Sequence, residues 1–344
     1  MKGAFSVKKN FGILPSGEQA SLYTISCGGI TAGISDYGAT LVSLLVPDST
    51  GAVADVVLGF DDCNGYRTGG GCLGATVGRN ANRVQGSSFT LGKKVVQLTP
   101  NENGNNLHSG PDFYFTRMWN LVSATDTAVT LELHSPHGDQ GFPGNAVIRV
   151  TYSLDATGGL HIRYDGVCDQ DTVFNMTNHS YFNLAGHNKP EKAMEQLLTI
   201  PGRFFNPDDA ESIPTGEKRN VEGTPMDFRL PKPIAQDLHA DYECLKLQGG
   251  YDHNWEVFCN PCAHLEDSES GRTMAVYTDC PGIQFYAGNF LDEQGKDGVY
   301  YGKNTGVALE TQYYPDSVHH PEWPQPITKA GEHYKSETIY RFQW

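Results

Sequence analysis

Five clusters place histidine, carboxylate, arginine and amide side chains in Gly/Asn-rich punctuation or at strand ends. They are Gly78-Arg79-Asn80-Ala81-Asn82-Arg83, Asn105-Asn106-Leu107-His108-Ser109-Gly110, Thr177-Asn178-His179-Ser180-Tyr181-Phe182-Asn183-Leu184, Tyr251-Asp252-His253-Asn254-Trp255 and Leu309-Glu310-Thr311-Gln312-Tyr313-Tyr314-Pro315-Asp316. Two histidines, two carboxylates, an arginine and several amides suit a neutral, hydroxyl-rich ligand. Asp and Glu accept from hydroxyls, Arg and Asn donate to them, and an aromatic such as Tyr181 or Trp255 covers an apolar sugar face. The chain has no GxxxxGK[ST], no GxGxxG ahead of a helix and no GxSxG elbow, and Gly69-Gly70-Gly71 lacks the partners of a nucleotide loop.

These clusters need a rigid scaffold, and short period-two segments supply one. Ala128–Leu133, Val147–Tyr152, Leu160–Tyr164, Thr273–Tyr277 and Ile283–Tyr286 alternate like half-buried strands. Asp155–Gly159, Pro136–Asp139 and Glu269–Arg272 are turn clusters of the kind that join antiparallel neighbours. Helical patterning is limited to two short stretches, Glu191–Gln196 and Ile234–Ala240, too little for the crossovers of a parallel α/β fold. With 39 Gly and 19 Pro in 344 residues, many turns and few long helices are expected. No repeat or linker divides the chain, so residues 1–344 read as a single all-β domain.

Net charge is −15, from 25 Lys+Arg and 40 Asp+Glu, and the basic residues are scattered. That excludes a nucleic-acid or anionic-membrane binder, which needs clustered cations. No apolar stretch is long enough to span a bilayer, and Met1–Ser6 carries no secretory pattern. The eight cysteines are too sparse for a disulfide scaffold, which predicts a cytoplasmic protein. The lone Cys259-Asn260-Pro261-Cys262 lacks a second pair for a metal site.

In this order, the five clusters resemble those of the aldose 1-epimerase (galactose mutarotase) family. Asp139-Gln140-Gly141-Phe142-Pro143-Gly144, Ile213-Pro214-Thr215-Gly216 and Gln284–Asp292 add to the likeness, which runs from about Phe11 to Phe342. The resemblance implies a β-supersandwich of large antiparallel sheets with a sugar cleft. It implies an isomerase of hexose and galactose metabolism that interconverts the α and β anomers of free aldoses, with no metal and no cofactor. Carried over by motif, Glu310 is the general base on the anomeric hydroxyl and His179 the general acid on the ring oxygen. Asn82, Arg83, His108, Tyr181, Asp252 and Gln284 are implied as substrate-binding residues. The expected partner is a small aldohexose, with the chain a monomer or weak homodimer.

The chemistry asks for an ionised Glu310 and a protonated His179, each stabilising the other's charge, and hence a bell-shaped pH dependence. The plainer reading of Arg83 is a pair with a structural acid, and of Arg79, Asn80, Asn178, Asn183 and His253 a loop-fixing or supporting role. Phe115-Thr116-Arg117-Met118-Trp119 and Gly69-Gly70-Gly71-Cys72 depart from the family pattern, in segments expected to lie away from the acid and base. Two other readings stay open: a hexose-6-phosphate 1-epimerase, which would need cations at the cleft rim, and a non-catalytic carbohydrate-binding or regulatory protein.

Overall fold

Each predicted period-two segment is a strand in the computed structural model, which describes residues 7–344. The reading of Met1–Ser6 lies outside the described residues. Ala128–Ser135, Ala146–Leu154 and Gly159–Cys168 pair in antiparallel register through the predicted turns, and apolar residues alternate onto one face of each. They form one half of a nine-stranded sheet whose other half holds Thr273–Thr278, Ala263–Glu266 and Leu197–Thr199. Strand His333–Gln343 lies between the halves, pairing with Gly159–Cys168 on one side and Thr273–Thr278 on the other.

A six-stranded sheet, in the order Tyr181–Phe182, Val307–Gln312, Gly282–Tyr286, Asp252–Glu256, Phe204–Phe205 and Arg219–Asn220, stacks on the nine-stranded one. Leu309, Phe285, Trp255 and Ile283 enter the shared core from one face. The Tyr340 hydroxyl donates to Leu309 O at 2.9 Å, and Thr311 bonds Thr338 across the layers. A five-stranded meander covering Val7–Asp55 packs against the nine-stranded sheet, where the Tyr152 hydroxyl donates to Ala39 O at 2.7 Å. Layers of antiparallel sheet around one apolar cluster make the β-supersandwich that the resemblance implied. Burying each large aliphatic or aromatic side chain contributes ~1.5–3 kcal/mol.

Helical expectations fare less well. Pro190–Glu195 is a 3₁₀ segment, and the predicted helix at Ile234–Ala240 shrinks to a single turn at Ile234–Gln236. Lys232 Nζ takes the Asp237 carboxylate at 2.7 Å, and the Ala240 amide turns back onto Asp237 O. Helix Cys63–Thr68, capped by the Asp62 side chain on the amides of Asn64 and Gly65, and helix Glu243–Gln248 had no periodic signal to reveal them.

Candidate active site

Strand Val307–Gln312 is buried on both faces. Leu309 and Thr311 point between the sheets, so alternation sends Ala308, Glu310 and Gln312 to the opposite face. Register places Gln284 and Asn254 beside Glu310, and Tyr286 and Asp252 beside Ala308. The paired short strands Arg83–Val84 and Asn106–Leu107, with the loops holding Cys72, Asn82 and His108, close over this face. The result is a cavity of about 210 Å³ lined also by Glu102, His179, Tyr181, Asp252, Tyr286, Phe290 and Glu310. A larger open groove of about 680 Å³ runs beside Lys93, Lys94 and His137. It lacks converging buried polar groups, so the smaller cavity is the chemical site.

His179 Nε2 lies 3.5 Å from Glu310 Oε1, both side chains almost wholly buried. Strand Thr177–His179 carries the histidine and is held from behind by Gly74, whose amide donates to His179 O at 3.1 Å. Asn178 points away: its amide donates to Gly74 O at 3.1 Å and to the Tyr152 hydroxyl at 3.2 Å. The Tyr181 ring lies tilted beside the histidine, with ring centres 4.9 Å apart.

Asn82 and His108 clamp one another. Asn82 N donates to His108 Nδ1 at 3.1 Å, and His108 N donates to Asn82 O at 3.0 Å. Both adopt positive φ, 60° and 54°, as does Cys72 at 56°, so three cavity residues hold a conformation that non-glycine residues rarely take. Because Nδ1 of His108 accepts a backbone N–H, its proton must sit on Nε2, where it is a donor. His108, His179 and Glu310 bring ligand atoms within 4.8 Å of one another. The fixed tautomer leaves His108 no lone pair facing that cluster, so the donor set fits hydroxyls rather than a metal.

Arg83 does both things considered for it. It lines the cavity and also forms a bidentate pair with Glu102, Nε–Oε2 at 2.5 Å and Nη2–Oε1 at 3.1 Å. Gln284 is the one implied binding residue not lining the cavity. Its Nε2 donates to Asp252 Oδ1 at 2.8 Å, so it orients the aspartate from behind.

The supporting residues behave as the plainer readings had them. Arg79 is wholly buried and donates to Pro143 O at 2.9 Å and Ser135 Oγ at 2.6 Å. Asn183 Nδ2 donates to Lys189 O at 2.8 Å, and the Ser109 hydroxyl accepts from Asn80 N at 2.9 Å. His253 Nδ1 accepts from the Asp252 amide at 3.1 Å. Arg117, in the first departing segment, is chelated by Asp139 at 2.8 Å on both oxygens. The second departure lies closer to the chemistry than expected, since Gly71 and Cys72 line the cavity. Burial, reinforced by Glu310, pushes the Cys72 thiol up to about 12, so it is a neutral wall.

Burial works against both charges of the expected ion pair. Burial pushes His179 down to about 4. Burial, with the Asp252 charge adding to it and Arg83 opposing it, raises Glu310 well above the usual carboxylate range. Desolvation is the leading cause at both residues, and it depends on depth, which is invisible in a motif. His108 is likewise held neutral, by burial first and then by His179 and Arg83. Asp208, which no motif singled out, is raised well above its ordinary value by burial and by Asp252.

The model of the family described as aldose 1-epimerase matches residues 21–341. The galactose mutarotase of Mus musculus is 39% identical over 342 residues, covering 96% of this chain and 97% of the mouse protein. The aldose 1-epimerase of Escherichia coli K12 is 37% identical, with the same coverage. Among solved structures, the GalM/aldose epimerase homologue from C. elegans superposes with a TM-score of 0.87 at 30% identity, covering 94% of this chain and 99% of that one. The galactose 1-epimerase from Lactobacillus acidophilus gives 0.86 at 26% identity, covering 99% of each. Fold, cavity and family model agree, and the chain belongs to the aldose 1-epimerase family.

Proposed function

We propose that this isomerase is a mutarotase that interconverts the α and β anomers of a free hexose such as galactose or glucose, with Glu310 as base and His179 as acid. The observation that carries this reading is the 3.5 Å approach of Glu310 Oε1 and His179 Nε2 on the wall of the cavity. One group on the anomeric hydroxyl and one on the ring oxygen, both bonded to the same carbon, need that proximity. Glu310 takes the proton of the anomeric hydroxyl, His179 gives a proton to the ring oxygen, and the bond between C1 and that oxygen breaks. Rotation about C1–C2 presents the other face of the aldehyde, and the reverse transfers close the ring. Each positioned partner contributes roughly 10²–10⁴-fold.

The ion-pair form of the couple opens the ring, and the neutral form, with the proton on Glu310, is what the open aldehyde leaves behind. Sugar hydroxyls donating to Glu310 supply the stabilisation that water gives an exposed carboxylate. In this reading Asp252 and the Arg83 guanidinium receive the distal hydroxyls, Asn82 and the Nε2–H of His108 donate near the ring, and Tyr181 covers an apolar face. Gln284 binds through Asp252. Arg83 is the only Lys or Arg lining the cavity and is already paired with Glu102. That favours an uncharged sugar over a hexose 6-phosphate. The sparse cysteines support a cytoplasmic setting.

Polarimetry of freshly dissolved α-D-galactose tests the proposal. Glu310→Gln and His179→Asn are each expected to lower kcat at least ~100-fold, the scale of one general acid or base. Wild-type rates in either variant would refute the assignment.

A further inference from the structure

One face of the six-stranded sheet holds a group of buried polar atoms that no protein atom satisfies. They are Glu310 Oε2, both amide atoms of Gln312, Gln284 Oε1 and Asn254 Oδ1, joined by Thr177 Oγ1 on the adjoining strand. Register makes the group contiguous. Gln284 lies opposite Glu310, and Asn254 opposite Gln284. Tyr181 pairs with Ala308 and the Tyr313 amide donates to Asn175 Oδ1 at 2.8 Å, so counting along the antiparallel chains puts His179 opposite Glu310 and Thr177 opposite Gln312. Gly282 faces Gln312 from the other side. A Cβ there would meet Asn254 Oδ1 at 2.4 Å and the Tyr314 ring at 2.8 Å, so these two side chains close the end of the row.

Unmet buried polar groups are destabilising, and internal water with two to four polar partners is the usual remedy. Here the donors are the Gln312 Nε2–H and the Thr177 hydroxyl, and the acceptors are Glu310 Oε2 and the amide oxygens of Gln284 and Asn254. Water between them satisfies both sets.

We propose that Gln312 and Thr177 are positioning residues that, with Gln284 and Asn254, hold internal water against Glu310 Oε2. One carboxylate oxygen then faces the sugar and His179, while the other is hydrogen-bonded from behind. The water turns a buried carboxyl into one that can carry charge during the reaction. His179, His108, Asp252, Arg83, Glu102, Cys72, Tyr181 and Tyr286 are the charged or titratable side chains that line the cavity with Glu310. None of them meets Oε2 with a hydrogen bond. The inference rests on Glu310 being the base.

The test is mutarotation kinetics across pH for Gln312→Leu and Thr177→Val, with Thr177→Ser as the variant that keeps the hydroxyl. Losing a hydrogen bond to a charged group is expected to lower kcat ~10-fold, with KM for galactose within about twofold. The alkaline limb should move to higher pH, because a less solvated carboxylate holds its proton longer, and Thr177→Ser should restore both. A crystal structure of the unmodified protein supplies a readout independent of folding in the variants, with water expected within hydrogen-bond distance of Oε2. Folded Gln312→Leu and Thr177→Val variants with wild-type kcat and pH profile would overturn the inference, as would a dry Oε2. If Glu310→Gln is inactive while these variants behave as wild type, only the water is wrong. If Glu310→Gln is active, the base itself is misassigned.

Discussion

At the scale of single residues, burial raises the proton affinity of Glu310, and two neighbours then pull in opposite directions. Asp252 raises its affinity for a proton and Arg83 lowers it. The acid limb of kcat/KM is expected near His179's value of about 4, below which the pair holds two protons. The alkaline limb follows Glu310, above whose raised value the pair holds none. Asp252→Asn should therefore move the alkaline limb to lower pH and Arg83→Gln to higher pH, each with a raised KM. Limbs moving the same way in both variants would show that another group sets the profile. His179, Glu310, Asp252, His108, Asn82 and Arg83 were legible because each sits in a motif. Glu102 and Asp208 were not, because an acid in an Asn-rich loop or beside a proline looks like any turn residue until the fold brings it to the arginine or the aspartate.

At the scale of elements, Gly74 joins the N-terminal meander to the strand that carries the histidine. Its carbonyl accepts from Leu41 N at 3.0 Å and its amide bonds His179 O. At φ +66° it has room for no side chain, since a Cβ would lie 2.0 Å from Leu41 O. Gly74→Ala is expected to cost more than ~1 kcal/mol of stability from the left-handed backbone alone, with the clash adding to it. Activity should fall with it, as strand Thr177–His179 shifts. A thermal melt and polarimetry on one preparation check both effects. Strands were readable where alternation is strict, as in Ala128–Leu133 and Val147–Tyr152. The helix Cys63–Thr68 is too short for periodicity, and the failure at Ile234–Ala240 came from Asp237 being drawn to Lys232. Pairing partners were not readable, because a strand's pattern fixes which face is apolar and leaves open its neighbour.

At the scale of the whole molecule, the −15 charge acts on any ligand before it reaches the cavity. A uronic acid resembles a neutral hexose in size and adds one negative charge. Its kcat/KM should be low and should rise with ionic strength as the field is screened, while that of galactose stays flat. Equal salt dependence for the two sugars would show that global charge plays no part in selection. The shared core predicts a second outcome. With residues from all three large sheets in one apolar cluster, denaturant should give a single cooperative transition by both tryptophan fluorescence and far-UV circular dichroism.

The central place of strand His333–Gln343 has a consequence for how the protein is made. Until residue 343 has left the ribosome, the strands Gly159–Cys168 and Thr273–Thr278 each lack a neighbour. The nascent chain therefore carries one open sheet edge once residue 168 has emerged and two once residue 278 has, and such edges invite pairing with other chains. The architecture commits folding to a long-range closure that local hairpins alone cannot complete.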